Sequence, residues 1–374
     1  MKIHIAGDLV PTVSNIEKFE KDNFIDELGK EFKNIWLNSD FRVFNLECPL
    51  GENLTPIAKS GPNLLAPSST INGIKSLKPN LVCLSNNHIL DYGLDGLENT
   101  LNILSKENIS SVGIINNSNE IAKTYYIEKD NIRVGIYNVC ENEFSVATKD
   151  SKGANSMHGL KAYKEIHNAK QQCDYLIVIY HGGKEFYRYP SPELREVCRN
   201  FVDFGANIVI TQHSHCIGAL DEYNNAKILY GQGNFIFDCT DDEYWNTALI
   251  LELNIDNKGI TIKYIPIERY NNVIKISKNK DILKSFENRN EEIKDESLLE
   301  EKYINFSMKK LNEYLHICTG VRLYNRILNR FFKRKFFIKK YKLKDCLAIL
   351  NIIECEAHRE LFIKGLKERI RKEL

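Results

Sequence analysis

His213 and His215 stand one residue apart in "VITQHSHCIG", directly after apolar and β-branched residues that read as a buried strand ending at Thr211. In an extended segment an i, i+2 pair points the same way. Both imidazoles could then hold a metal; the other reading has one capping the strand and the other solvated. Further strand-like runs end on residues of the same kind. "KIHIAG" is followed by Asp8, "FRVFNLE" ends on Glu47, "NLVCLS" leads to Asn87 and His88, and "DYLIVIY" runs into His181. Each has an ordinary reading by itself: a turn or helix cap for Asp8, a solvated carboxylate for Glu47, an αL turn residue for Asn87, a satisfied core imidazole for His181. Together they place ligand-type residues at the C-terminal ends of separate strands, where α/β sheets gather their sites, and they point to a metal site. Carboxylate, carboxamide and imidazole donors without thiolate suit manganese, iron or zinc. Two ions are expected, roughly 3.5–4 Å apart and sharing a carboxylate, an arrangement that generates hydroxide from water.

The elements that must position these residues show as alternating patterns. Strand-like runs alternate with helical ones around Phe24 to Leu37 and near Ser69 to Leu77, which favours a layered α/β sheet. Leu94, Leu97, Leu101 and Leu104 recur at helical spacing. "TYYIEKDNIRVGIYNV" reads as a hairpin across Asp130 and Asn131, and "TALILELNIDNKGITIKYIPI" as a second one turning at Asp256 to Gly259. Hairpins beside crossover strands predict mixed pairing and two sheets. Past Tyr270 the residues become dense in charge. The chain is therefore expected to divide into a catalytic domain 1–270, a charged linker 271–302 and a helical, basic C-terminal extension 303–374.

The ordered series "GD", "NLECPL", "SNNHILDYGLDGLENTLNIL", "HGGKEFYRYPSPELREVCRNFVDFGANIVITQHSH" and "ILYGQGNFIF" resembles the CapA family of bacterial capsule and poly-γ-glutamate synthesis proteins. That family is similar in turn to calcineurin-like metallophosphoesterases. The resemblance covers roughly residues 1–240. It implies an α/β fold, a four-layer αββα metallophosphoesterase-like sandwich of two mixed sheets, here with a C-terminal helical extension. It also implies roles: Asp8 on the first metal, Glu47 bridging, Asn87, His181 and His213 on the second metal, and His215 returning to the first. His88 resembles the histidine that stands outside the metals to donate a proton or stabilise an oxyanion, with Asp91 placed to orient it. Lys59, Lys184, Glu185 and Arg188 are candidate contacts to an anionic substrate, with solvated surface charge as the other reading of each. The chain departs from the metallophosphoesterase pattern at Val10, where a second ligand histidine would stand two residues after Asp8. The first ion then keeps fewer protein ligands than the second, so stepwise metal binding is expected.

Composition narrows the partners. With Lys+Arg at 51 and Asp+Glu at 50, the net charge of +1 provides no global field for nucleic acid. The 10 cysteines are scattered without CxxC spacing, which suits a reducing compartment. No apolar stretch matches a signal-peptide core or a membrane span. A cytoplasmic location is expected, with any membrane touched from the surface. "NRFFKRKFFIKKYKLK", Asn329–Lys344, packs eight basic residues among five aromatics. It reads either as a helix lying on an anionic membrane or as one burying its aromatics on the protein. The expected function is a metal-dependent, phosphoesterase-like hydrolase in capsule or cell-surface polymer metabolism, acting on an anionic polymer or a phosphorylated small molecule. The alternative is a non-catalytic accessory subunit that binds polymer within a synthesis complex.

Overall fold

The chain is described by a computed structural model covering residues 1–238, 242–319 and 342–373. It divides into two compact units, the first comprising Met1–Ile57 and Leu64–Asp295. One sheet of that unit contains β1 (Lys2–Val10), β2 (Phe41–Leu46), β3 (Leu81–Cys83) and β4 (Ser110–Val112), in parallel. β14 (Thr247–Asp256), β15 (Gly259–Tyr270) and β16 (Val273–Ile276) continue it antiparallel on the far side of β1. The order is β16-β15-β14-β1-β2-β3-β4, with β13 (Asn234–Phe237) pairing in parallel with the end of β1. The second sheet runs β11-β12-β10-β9-β7-β6. Its strands are β6 (Tyr125–Lys129), β7 (Ile132–Cys140), β9 (Tyr175–His181), β10 (Ile208–Gln212), β11 (Ile217–Tyr223) and β12 (Ala226–Gln232). A small ribbon pairs β5 (Ile114–Ile115) with β8 (Gly153–Ala154).

Side-chain alternation decides how the layers stack. Ile3, Ile5, Val43 and Leu81 of the first sheet share one apolar cluster with Val134, Ile136, Ile177, Ile179, Ile208 and Ile210 of the second. The sheets therefore pack face to face. On the other face of the first sheet, Phe44 and Leu46 pack with Phe19, Trp36, Ile74, Leu97 and Leu104. Those come from α1 (Ile16–Phe19), α3 (Lys30–Leu37), α4 (Ile71–Ser76) and α5 (Gly93–Lys106), with the short α2 (Phe24–Glu27) between the first two. α6 (Leu160–Lys170) lies on β7 and β9, and α7 (Pro192–Asp203) on β10 and β12. The architecture is thus the expected αββα sandwich of two mixed sheets. α7 starts where the Ser191 hydroxyl accepts from the Leu194 N–H at 3.2 Å and Pro192 fills the first helical position.

Both expected hairpins form. The β6–β7 turn holds Asp130 and Asn131 at φ of 55° and 60°, and β14 closes on β15 with Asp256 opposite Gly259. Other boundaries move. The expected helix over Phe24 to Leu37 breaks into α2 and α3, because Gly29 takes a φ of 84° between them. The strand before the histidine pair ends at Gln212, not Thr211. Segment 271–302, expected as a linker from its charge, carries β16 and α8 (Lys280–Glu292). α8 buries Ile282 and Phe286 at an apolar spacing of four while leaving its lysines outside.

The second unit comprises Ala58–Asn63 and Glu296–Leu374. Its described helices are α9 (Glu296–Thr319), α10 (Leu343–Glu354) and α11 (Glu356–Glu373). Leu311 of α9 and Gly365 of α11 come close enough that a Cβ on Gly365 would lie 3.0 Å from that of Leu311. The Tyr314 hydroxyl lies 2.8 Å from His358 Nδ1. Of the basic aromatic segment Asn329–Lys344, residues 329–341 fall outside the described residues. No helix among the described residues is long and apolar enough to cross a membrane. Cys48, Cys83, Cys140, Cys173, Cys198, Cys216, Cys346 and Cys355 are free thiols.

Candidate metal centre

Parallel strands from both sheets end at one place. Asp8 sits near the end of β1, Glu47 follows β2, and Asn87 follows β3 by a short turn. From the other sheet, His181 is the last residue of β9, while His213 and His215 follow β10. All six are buried. Ligand atoms of Asp8, Glu47 and His215 lie within 4.8 Å of one another, as do those of Glu47, His181 and His213. Glu47 belongs to both groups. His181 Nε2 stands 3.1 Å from Glu47 Oε1 and 3.0 Å from Asn87 Oδ1. The structure thus brings Asp8, Glu47, Asn87, His181, His213 and His215 together. Val10, 2 % exposed, points into the apolar cluster and supplies no donor.

The loop carrying the histidine pair is not extended. His213 has a φ of 83° and His215 a φ of 54°, so both hold the left-handed conformation that a side chain disfavours. Such backbone costs about 1–3 kcal/mol per residue and persists where surrounding structure enforces it. Here the His213 N–H donates to Asp8 Oδ2 at 3.2 Å, and the Phe186 N–H donates to the Ser214 carbonyl at 2.9 Å. His215 joins Asp8 and Glu47, and His213 joins Glu47 and His181, while the two imidazoles keep ligand atoms within 4.8 Å of each other.

The electrostatics are those of a site short of positive charge. Burial, reinforced by the Glu47 carboxylate, pushes Asp8 up to about 6. Burial also raises Glu47. Burial takes His181 down to about 4 against the opposing pull of Asp8. For His215 burial acts downward, but the carboxylates of Glu47, Glu185 and Asp8 outweigh it and hold the imidazole above its usual value. Neither oxygen of Glu47, which is 0 % exposed, accepts a hydrogen bond. A buried carboxylate without donors, set between imidazoles, fits a cation.

Several groups around this cluster escape a reading by motif. Asn45 Nδ2 lies 2.8 Å from Asp8 Oδ1 and 3.3 Å from His181 Nδ1. Set between the two, it fixes the Asp8 carboxylate and the plane of the His181 ring, whose Nε2 faces Glu47. Asn86 donates to Asn45 Oδ1 at 3.0 Å and holds that amide in place. Asn234, opposite Asp8 in the β1–β13 pairing, lies 2.9 Å from His215 Nδ1 through its Oδ1. Glu141, just past β7, has Oε1 3.4 Å from His213 Nε2, and Glu143 completes a further cluster with them. Glu141 carries the same strand-end signal that singles out Glu47; the buried amides carry none, because their burial is decided by the second sheet.

The remaining candidates separate by place. His88 joins neither group; its Nδ1 lies 2.6 Å from Asp91 Oδ2, which also accepts from the Leu64 N–H at 2.6 Å. Glu185 is exposed, and its carboxylate lies within 4.8 Å of ligand atoms of His213 and His215. Lys184 is buried at 6 % exposure, not a solvated surface charge. Arg188 stacks over the Tyr244 ring at 4.5 Å. Lys59 falls in the second unit. Aromatic rings line the His215 side, with Trp245 stacked on that imidazole at 4.4 Å.

Comparison with known proteins agrees with the motifs. The profile of a family described as bacterial capsule synthesis protein PGA_cap matches residues 2–239. The capsule biosynthesis protein CapA of Bacillus anthracis is 28% identical over 239 residues, covering 62% of this chain and 58% of that protein. The PGA biosynthesis protein CapA of Bacillus subtilis (strain 168) is 26% identical over 228 residues, covering 60% of each. The chain thus spans about three fifths of the length of the curated relatives it matches. Among solved structures, a 5'-nucleotidase precursor from Thermus thermophilus is 12% identical with a TM-score of 0.40, covering 74% of this chain and 54% of that one.

Proposed function

Because the chain belongs to the bacterial capsule synthesis protein PGA_cap family, we propose that it is a metal-dependent hydrolase of phosphoesters in capsule or cell-surface polymer metabolism. The observation that carries this reading is Glu47, a fully buried carboxylate without hydrogen-bond donors, shared by two groups that each contain histidine. Asp8, Glu47 and His215 would hold one divalent ion, and Glu47, Asn87, His181 and His213 the other. Such ions supply charge that polarises a phosphoryl oxygen and makes water a better nucleophile.

The chain's own residues account for the rest. Asp91, fully buried, accepts from His88 Nδ1, so Nε2 is the nitrogen that exchanges a proton with the leaving group. Asn234 orients His215 by accepting at Oδ1 from its Nδ1, as partners of ligating imidazoles do. The aromatic wall formed by Phe186, Phe237 and Trp245 around His215 limits water on that side. The test is metal analysis of the purified protein, then titration of metal-stripped protein with manganese alongside hydrolysis of an aryl phosphate. Two binding steps, with turnover following the ions, support the reading; a folded protein that takes up no metal overturns it. A second reading, an accessory subunit that binds polymer without cleaving it, draws on the names of the two relatives, which describe biosynthesis. Metal uptake without turnover on phosphoesters would favour it.

A further inference from the structure

Arg289, on α8, is 7 % exposed, and its guanidinium makes one hydrogen bond, from Nε to the Gly218 carbonyl at 3.0 Å. No carboxylate among the described residues forms an ion pair with it. That is unusual, since buried charges are normally paired. The acid nearest in sequence, Glu292, is engaged by the Tyr189 hydroxyl. The strongest charge acting on Arg289 is of the same sign: after burial itself, Arg188 does most to depress it. Arg188 is also short of partners. Its Nε is buried without an acceptor, and its guanidinium reaches Glu243, 73% exposed, only at 3.8 Å. Cys216 feels both arginines and takes a hydrogen bond from Arg188. Both arginines meet at Gly218: Arg289 donates to its carbonyl, and a Cβ on that glycine would lie 3.3 Å from the Arg188 carbonyl oxygen.

Two guanidiniums held close together repel each other unless something negative stands between them. Their planar forks match carboxylate and phosphate oxygens. The place is also telling. Arg188 lies three residues beyond Glu185, Cys216 directly follows His215, and Gly218 continues into β11. The Arg188–Tyr244 stack continues through Phe186 to the His215 ring.

We propose that Arg188 and Arg289 form an oxyanion-binding pocket beside the metal centre that receives a second anionic group of the substrate. Its part in substrate recognition rests on the phosphoesterase reading; anion binding by the two arginines does not. A pocket of this kind selects a substrate with repeated negative charge over one with a single anionic group. The group is a phosphate or a carboxylate, and two probes distinguish them.

The test is calorimetric titration of the metal-stripped, full-length protein with inorganic phosphate and, separately, with glutarate at low ionic strength. Expected is binding of at least one probe, weakened by added potassium chloride and reduced about tenfold or more in Arg188→Gln and in Arg289→Gln. Tighter phosphate binding assigns a phosphate group, and tighter glutarate binding a carboxylate. Arg188→Gln decides alone if Arg289→Gln fails to fold, because Arg188 is only half-buried. Binding of neither probe, or equal affinity in wild type and Arg188→Gln, overturns the pocket. Because the titration uses no metal, its failure leaves the hydrolase reading intact, and absence of hydrolysis leaves the pocket intact.

Discussion

His181 and His213 face Glu47, whereas His88 faces Asp91, and the difference separates two phenotypes. His181→Ala and His213→Ala should each lose bound metal while circular dichroism stays native, since both side chains sit at strand ends. His88→Ala should keep its metal and lose roughly 10²–10⁴-fold in turnover, the usual worth of a proton-transfer group. Metal analysis on the three variants checks both statements; loss of metal from His88→Ala would make that residue a ligand. Asp8 sets a pH dependence. Its carboxyl, raised to about 6, favours the metal-free fold at low pH, and that contribution is lost as pH rises through about 6. A cation that compensates the ionised carboxylate restores it. Added metal should therefore raise the melting temperature more at pH 7.5 than at pH 5. His181, lowered to about 4, acts oppositely in the metal-free protein, favouring the fold above its ordinary titration range and ceasing to do so as pH falls through about 4. A metal-induced shift that is the same at both pH values would contradict the assignment of Asp8.

Strand pairing holds these side chains at their separations. β1 meets β13 so closely that a Cβ on Gly7 would lie 2.0 Å from the Gly233 carbonyl oxygen, one residue before Asp8. Gly7→Ala must push the strands apart, at a cost of about 1–3 kcal/mol or more, and should lower metal stoichiometry by displacing Asp8. Gly135→Ala is the comparison: its Cβ would meet side-chain atoms of Cys173 and Leu176 at 3.1 Å, which can rotate away. Urea unfolding should show a clearly larger loss for Gly7→Ala. Equal losses would mean that β13 yields without cost. The same backbone economy explains the histidine loop. The i, i+2 spacing suggests an extended pair pointing one way, but φ values of 83° and 54° send the rings to different groups. Nothing in the residue types at 213 and 215 announces that geometry, because the carboxylate that accepts from the His213 N–H belongs to Asp8, distant in sequence.

Across the molecule, every buried member of the apolar clusters on the two faces of the first sheet falls at or before Phe286, and the buried Ile293 of the first unit precedes Asp295. A chain ended after Asp295 should therefore unfold cooperatively and bind the same number of metal ions as the full chain. Aggregation, or loss of metal from an otherwise folded truncation, would show that the helical residues after Asp295 are needed for the site.

Local pattern alone locates most strands, both hairpins and the residues at strand ends, because side-chain period and turn chemistry are properties of neighbours in sequence. Asp8, Glu47, Asn87, His181, His213 and His215 are legible for that reason. The charged stretch after Tyr270 misleads for a related one: charge density reports exposure of most of a segment, not the few apolar residues, such as Ile282 and Phe286, that dock it. What only the tertiary structure decides is which strand ends meet. Packing of isoleucines and valines from two sheets, far apart in the chain, brings β1, β2 and β3 to the same edge as β9 and β10. That meeting buries Asn45 and Asn234 beside the imidazoles and leaves the Glu47 oxygens without hydrogen-bond donors. Burial and desolvation depend on everything within a few ångströms in space, and sequence proximity carries no record of it.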